Sequence, residues 1–194
     1  EVGGDLYDFY MDGNHLYFLI GDVSGKGVPA SLFMAITRSL FRTLSQHVLS
    51  PAKIVTEMNN SISDNNESNM FVTLIVGILD LETGILKLCN AGHNPPILIY
   101  PDGQVSYLEF KTQIFVGVVE DFKYSDEEVV LEKESKLFLY TDGVTEAENI
   151  NKELYGEEKL LEMLSDNASS DVRTTVNVVV DSIASHVKEA EASD

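Results

Sequence analysis

The sequence predicts an α+β sandwich in which helices cover stacked antiparallel sheets. Three observations predict it: apolar strand-like segments open the chain, two helical segments follow, and short hairpins build the middle before helical periodicity returns. A doubly wound parallel sheet does not fit a chain whose centre is made of hairpins.

Taken in order, Glu1 to Tyr10 reads as a strand, Met11-Asp12-Gly13-Asn14 as a turn, and His15 to Gly21 as an apolar strand. The glycine-rich Ser24-Gly25-Lys26-Gly27 leads into a helix. There Val28, Leu32, Ile36, Leu40, Leu44 and Val48 recur every four residues and mark one buried face. Ser50-Pro51 is a cap followed by a first-turn proline, and Ile54, Val55, Met58 and Ile62 form the apolar side of the second helix. Phe71 to Asp80 and Ile85 to Ala91 flank the turn Leu81-Glu82-Thr83-Gly84. Ile97 to Tyr100 and Val105 to Leu108 flank Pro101-Asp102-Gly103-Gln104, and Glu127 to Leu131 and Lys136 to Thr141 add two strands. Glu157 to Leu164 reads as a short helix. Val172, Val176, Val179, Val180, Ile183 and Val187 read as a last one, despite their β-branching. No repeat, low-complexity stretch or linker divides the chain, so residues 1–194 are expected to form a single domain. The missing initiator Met suggests a piece of a longer protein.

Composition is that of a globular protein, 44% hydrophobic and 23% charged. The charge balance is more informative: 32 acids against 13 bases give a net charge of −19. Such a field repels nucleic acid and anionic lipid, so neither is an expected partner. It also repels phosphate esters, so a phosphate-handling site here needs cations. The longest apolar stretch, Phe71 to Leu79, is far short of the ~20 residues that span a bilayer. No membrane insertion is expected. The single cysteine, Cys89, excludes an internal disulfide and fits a packed thiol in a reducing, cytoplasmic compartment.

The chemistry-bearing residues are acids. If the first hairpin turns at Gly13-Asn14, Asp5 stands directly opposite Asp22; if it turns at Asp12-Gly13, the two are diagonal neighbours on one face. Either register brings two carboxylates together, and such like charges destabilise a sheet unless a divalent cation binds them. Asp22 and Asp142 both stand where an apolar strand leaves its sheet, after Leu16 to Gly21 and after Lys136 to Thr141. Carboxylate oxygens suit magnesium or manganese, whereas four scattered histidines and one cysteine argue against a zinc site. A P-loop is excluded. The first glycine of a Walker motif, separated by four residues from its Gly-Lys, is replaced by Ile20, and Gly27 follows the lysine. Lys26 reads equally as a phosphate contact or a solvated loop residue. His93, in Asn90-Ala91-Gly92-His93-Asn94-Pro95-Pro96, reads as a residue that shapes a turn, with proton donation the alternative.

Together these segments resemble the PPM, or type 2C, metal-dependent phosphatases in their SpoIIE/RsbU-like branch. The resemblance rests on Gly3-Gly4-Asp5-Leu6-Tyr7-Asp8-Phe9, Gly21-Asp22-Val23-Ser24-Gly25-Lys26-Gly27-Val28-Pro29-Ala30, Phe71-Val72-Thr73-Leu74 and Asn90-Ala91-Gly92-His93. It continues through Tyr140-Thr141-Asp142-Gly143-Val144-Thr145-Glu146-Ala147 and Tyr155-Gly156. It implies a four-layer α-β-β-α sandwich with two Mn²⁺ or Mg²⁺ ions at one end. Asp22 would bridge the ions, with Asp5, Asp142 and the Val23 carbonyl as further ligands. Asp194 stands where the family's Asp-Asp-hydrophobe-Thr segment begins and would add another. The implied reaction is hydrolysis of a phosphoserine or phosphothreonine by a metal-bridging hydroxide, with Asp5, Asp22 and Asp142 as the catalytic acids. The implied partners are a phosphorylated anti-sigma-factor antagonist as substrate, a sensor domain upstream in the same chain, and a second copy in a homodimer. A pseudophosphatase or regulatory binding module, and a hydrolase of small phosphate esters, are the rival readings.

Overall fold

The computed structural model describes residues 3–64 and 69–188. In chain order its elements are β1 (Asp5–Asp12), β2 (His15–Val23), α1 (Val28–Leu44), α2 (Pro51–Ser63), β3 (Val72–Asp80), β4 (Ile85–Ala91), β5 (Ile97–Ile99) and β6 (Val105–Tyr107). These are followed by β7 (Glu127–Val130), β8 (Lys136–Phe138), α3 (Asp142–Thr145), α4 (Glu157–Asp166) and α5 (Val172–Lys188). They divide into two compact units, one of Glu1–His93 with Phe110–Leu131 and one of Asn94–Glu109 with Glu132–Asp194. Each unit holds one sheet with its own helices, and both sheets are antiparallel, as the sequence predicts. No helix among the described residues is long and apolar enough to cross a membrane.

The sheet of the first unit runs in the order β1-β2-β3-β4-β7. Alternation assigns its faces. Leu6, Asp8 and Tyr10 of β1, Tyr17 and Leu19 of β2, Leu74, Val76 and Ile78 of β3, and Cys89 and Ala91 of β4 share the face that α1 and α2 cover. From the helices, Ala30, Phe41, Ile54, Val55, Met58 and Ile62 complete that core. The expected start of α2 is present: Ser50 Oγ accepts from Lys53 N at 3.3 Å, and Pro51 occupies the first turn. On the opposite face Phe18, Ile75, Leu86 and Leu88 are also buried. Gly77 makes this possible, because a Cβ there would lie 2.1 Å from the Phe18 ring that crosses it.

The buried face of α1 is not the one the four-residue spacing marks. Val28, Leu32 and Ile36 are 74%, 61% and 53% exposed, while Ala30, Thr37 and Phe41 are buried and Phe33, Met34, Leu40 and Leu44 pack beside them. The reason is helical geometry. A spacing of four advances about 40° beyond a full turn at each step, so the stripe winds around the helix instead of staying on one side. Val48 lies past the helix end, in a turn closed by its N–H donating to Ser45 O at 3.2 Å.

Asp8 is the one buried acid on the helix-facing side of β1. Arg42 of α1 grips it with two charge-assisted bonds, Nε to Oδ2 and Nη2 to Oδ1, both 2.5 Å, and Arg38 Nε adds a third at 3.1 Å. The same cluster blunts the sheet edge. Phe9 N–H donates to Asp8 Oδ1 and Phe9 O accepts from Arg42 Nη2, at 2.9 and 2.8 Å, so both outward groups of that residue are occupied.

In the second unit the sheet runs β6-β5-β8, and Ile97, Ile99, Tyr140, Tyr155, Leu160, Leu164 and Val179 form its core with α4 and α5. The strand predicted to reach Thr141 stops at Phe138, and the short helix α3 begins at Asp142. On α5 only Val179 of the valines is buried; Val172, Val176, Val180 and Val187 are exposed. Lys136 Nζ donates to Ala168 O and Ser170 O, both at 2.5 Å, tying β8 to the segment between α4 and α5.

The Arg42 hydrogen bonds, joined by those of Arg38, hold the Asp8 carboxyl at about 2 against an ordinary 3.8, although burial acts in the other direction. A lowered folded-state value means that this contribution is complete above 3.8 and is lost as pH falls towards about 2. Asp8→Ala is expected to lower the unfolding free energy by about 2 kcal/mol at pH 7. Urea titrations at pH 7, 4 and 2.5 should show the wild type and the variant converging as the pH falls.

Candidate metal centre

The opening hairpin closes at Asp12↔His15 around Gly13-Asn14, which places Asp5 directly opposite Asp22. This is the first of the two registers that the sequence allows. Val23 N donates to Gly4 O at 3.1 Å, so Gly4 and Val23 form a hydrogen-bonded pair. Asp5 and Asp22 are therefore the next, non-hydrogen-bonded pair, the kind in which facing side chains come closest, with Cα atoms about 4.5 Å apart. Their carboxylates share one face, and each offers an oxygen within 4.8 Å of the other's. Asp5 is exposed and Asp22 half-buried.

Gly4 shapes the space beside them. A Cβ built there would lie 2.3 Å from Val23 O and 2.6 Å from Asp22 Oδ1. Only glycine leaves the main-chain carbonyl and the carboxylate oxygen open together. The exit from β2 is fixed on the other side, where Ser24 N donates to Phe71 O and Phe71 N to Ser24 Oγ, both at 2.9 Å. Gly25 and Gly27 then take φ values of 84° and 81°, the left-handed conformation that turns the chain into α1. Lys26 is exposed in this turn.

Asp142, in the second unit, is the first residue of α3, with Thr141 extended before it as the N-cap residue. Its backbone carbonyl accepts from Glu146 N at 2.7 Å. Asp194 lies outside the described residues. Two facing carboxylates, an adjacent main-chain carbonyl and an opening that a methyl group would fill form an oxygen-only donor set. That set fits a hard divalent cation such as magnesium or manganese.

His93 is both a turn residue and more. Its N–H donates to Asn90 Oδ1 at 2.8 Å and its carbonyl accepts from Asn90 Nδ2 at 3.0 Å, the turn role expected of it. Its ring also reaches Thr73, with Nδ1 2.9 Å from Oγ1. Sequence reasoning gave Gly4 and Thr73 no individual role. The signal for Thr73 was available once the β2–β3 register was known, because Thr73 pairs with Asp22. Cys89 is buried, and that burial pushes its thiol up to about 12, the inert packed thiol that the sequence suggests.

Comparison with known proteins follows the same lines. The chain is 27% identical over 184 residues to the phosphoserine phosphatase RsbU of Bacillus subtilis, covering 94% of this chain and 54% of that protein. It spans 31% to 54% of the length of the curated relatives it matches. The structure of the SiaA-PP2C domain of Pseudomonas aeruginosa superposes with a TM-score of 0.85 at 21% identity, covering 100% of this chain and 78% of that one. RsbX, solved in complex with magnesium, superposes with a TM-score of 0.71 at 17% identity, covering 98% of this chain and 83% of that one. These likenesses show that the fold is of the PP2C type, in agreement with the sandwich class the sequence predicts. Residues 12–194 match the family described as Stage II sporulation protein E (SpoIIE), and this chain belongs to that family.

Proposed function

We propose that this chain is a metal-dependent protein serine/threonine phosphatase that removes phosphate from a phosphoserine or phosphothreonine of an anti-sigma-factor antagonist. The observation that carries the reading is the Asp5–Asp22 pair, opposed in register beside the Val23 carbonyl and the Gly4 opening. Two Mn²⁺ or Mg²⁺ ions would be held there by Asp5, Asp22 and the Val23 carbonyl. Asp142 would complete the set from the second unit, with Asp194 as a further candidate, so that residues 1–194 act as one phosphatase domain.

Bound ions supply Lewis acidity that activates water and offsets the charge of the phosphoryl group. The chain's own part is to hold those charges in place. The carboxylates of Asp5 and Asp22 are placed by strand pairing, and the Val23 carbonyl is held by its own peptide, whose Ser24 N–H donates to Phe71 O. Arginine has little scope to grip the substrate in the first unit, because Arg38 and Arg42 both bind Asp8. Recognition of the phosphoprotein then rests on the metal centre and on contacts with the protein bearing the phosphate. A buried, reduced Cys89 suits a cytoplasmic setting. A sensor domain upstream and a homodimeric assembly complete the proposal.

The direct test is Mn²⁺-dependent phosphate release from a phosphoserine protein and from nucleotides. Release from the phosphoprotein with little from nucleotides is expected, and Asp22→Asn should lower it by more than roughly 100-fold, the upper end of the loss when only outer-shell partners of a metal are removed. An undiminished rate in Asp22→Asn would remove that residue from the chemistry. Asp5→Asn should stabilise the metal-free protein by about 0.5 kcal/mol, because it relieves a facing like-charge pair. The same variant should lose the rise in melting temperature that Mn²⁺ gives the wild type. Gly4→Ala should also lose that rise, since its methyl group enters the space between Val23 O and Asp22 Oδ1; a full Mn²⁺ response in Gly4→Ala would show that the opening is not the binding site.

A further inference from the structure

The row of side chains that starts at Asp5 and Asp22 continues across the sheet. Thr73 stands opposite Asp22 in the β2–β3 register, on the same face. Its hydroxyl makes two contacts: Oγ1 lies 3.4 Å from Asp22 O and 2.9 Å from Nδ1 of the buried His93. The Asn90–His93 turn holds the imidazole against it, through bonds of 2.8 and 3.0 Å to the His93 main chain.

A threonine hydroxyl has one proton to donate. If Nδ1 of His93 is bare, the shorter contact takes that proton, and the Asp22 carbonyl faces an oxygen with nothing to offer. If Nδ1 carries hydrogen, the imidazole donates to Oγ1 and the hydroxyl proton goes to the Asp22 carbonyl. Only the second arrangement makes both contacts hydrogen bonds. We infer that His93 is a positioning residue: it carries hydrogen on Nδ1 and, through the Thr73 hydroxyl, holds the Asp22–Val23 peptide at the metal-binding corner.

This inference rests on the metal reading of Asp5 and Asp22. The Asp22–Val23 peptide is pinned on both sides. Its carbonyl faces β3, where Thr73 reaches it, and its N–H faces β1, where Gly4 O accepts it at 3.1 Å. The Asp22 carboxylate and the Val23 carbonyl flank that one peptide, so a change in its tilt moves both donor groups together. Such outer-shell bonds orient ligands without touching the ion.

The test uses the full chain and two independent readouts. Nitrogen-15 NMR of the histidine-labelled, metal-free protein, with the His93 signals assigned by their loss in His93→Gln, reports which ring nitrogen carries hydrogen. Calorimetric titration with Mn²⁺ then compares wild type, Thr73→Val, Thr73→Ser and Asp22→Asn. The expected result is a protonated Nδ1, Mn²⁺ binding weakened roughly three- to tenfold in Thr73→Val, the effect of one lost hydrogen bond, and restoration in Thr73→Ser. A bare Nδ1 overturns the inference, as does a folded Thr73→Val that binds Mn²⁺ like the wild type. If Thr73→Val does not fold, weak binding by Thr73→Ser overturns it instead. Failure of the metal reading looks different: Mn²⁺ affinity would then be unchanged in Asp22→Asn.

Discussion

Two carboxylates face each other across the first two strands of this protein, and the pairing rules of an antiparallel ladder leave them nowhere else to go. Asp5 and Asp22 occupy a non-hydrogen-bonded pair, where facing side chains come closest. Water and the exposure of Asp5 temper the repulsion, but a sheet gains nothing from such a pair by itself. A divalent cation reverses the sign of the interaction. The surrounding chain is arranged in keeping with that: glycine at position 4 leaves the adjacent carbonyl and carboxylate oxygens open, and the turn after Val23 is built from Ser24 and two left-handed glycines. The net charge of −19 bears on the same point. A chain this acidic handles phosphate through bound cations more readily than through its few arginines.

The rest of the first unit keeps that strand pair rigid. The helix-facing side of β1 carries Asp8, which Arg42 and Arg38 lock to α1. The opposite side carries Asp5. One strand thus links a helix to a metal-ligand candidate through two residues three apart, one on each of its faces. On the far side of Asp22 the Thr73–His93 pair plays a comparable part within the sheet. Both devices act on backbone position and not on the ion, and both lie in the unit that holds the carboxylate pair.

Much of this was legible in the sequence, for physical reasons that differ by element. A two-residue turn fixes a register, and both turns open to the sequence, Gly13-Asn14 and Asp12-Gly13, bring Asp5 and Asp22 together on one face, so their meeting followed from counting while the direct pairing needed the folded chain. Ser50-Pro51 marked the start of α2 because capping chemistry is local. The buried side of α1 was misread because a four-residue spacing drifts around a helix; the spacing of Ala30, Phe33, Met34, Thr37 and Phe41 fits the true period and defines the core side. The short helix α3 was hidden by the apolar run Leu137 to Tyr140, which continues past the last paired residue of β8. The Asp8 cluster required tertiary knowledge, although an acid among inward positions and arginines one helical turn apart at 38 and 42 were its visible signs. The Thr73–His93 contact joins segments whose proximity only the folded chain reveals.

The most direct measurement is anomalous diffraction from crystals of this protein grown with Mn²⁺. Two manganese peaks are expected at the corner of β1 and β2, with oxygens of Asp5, Asp22 and the Val23 carbonyl at coordination distances of roughly 2.1 Å. Manganese bound elsewhere on the acidic surface, with the Asp5 and Asp22 carboxylates bare at saturating metal, would overturn the assignment of this corner as the metal site.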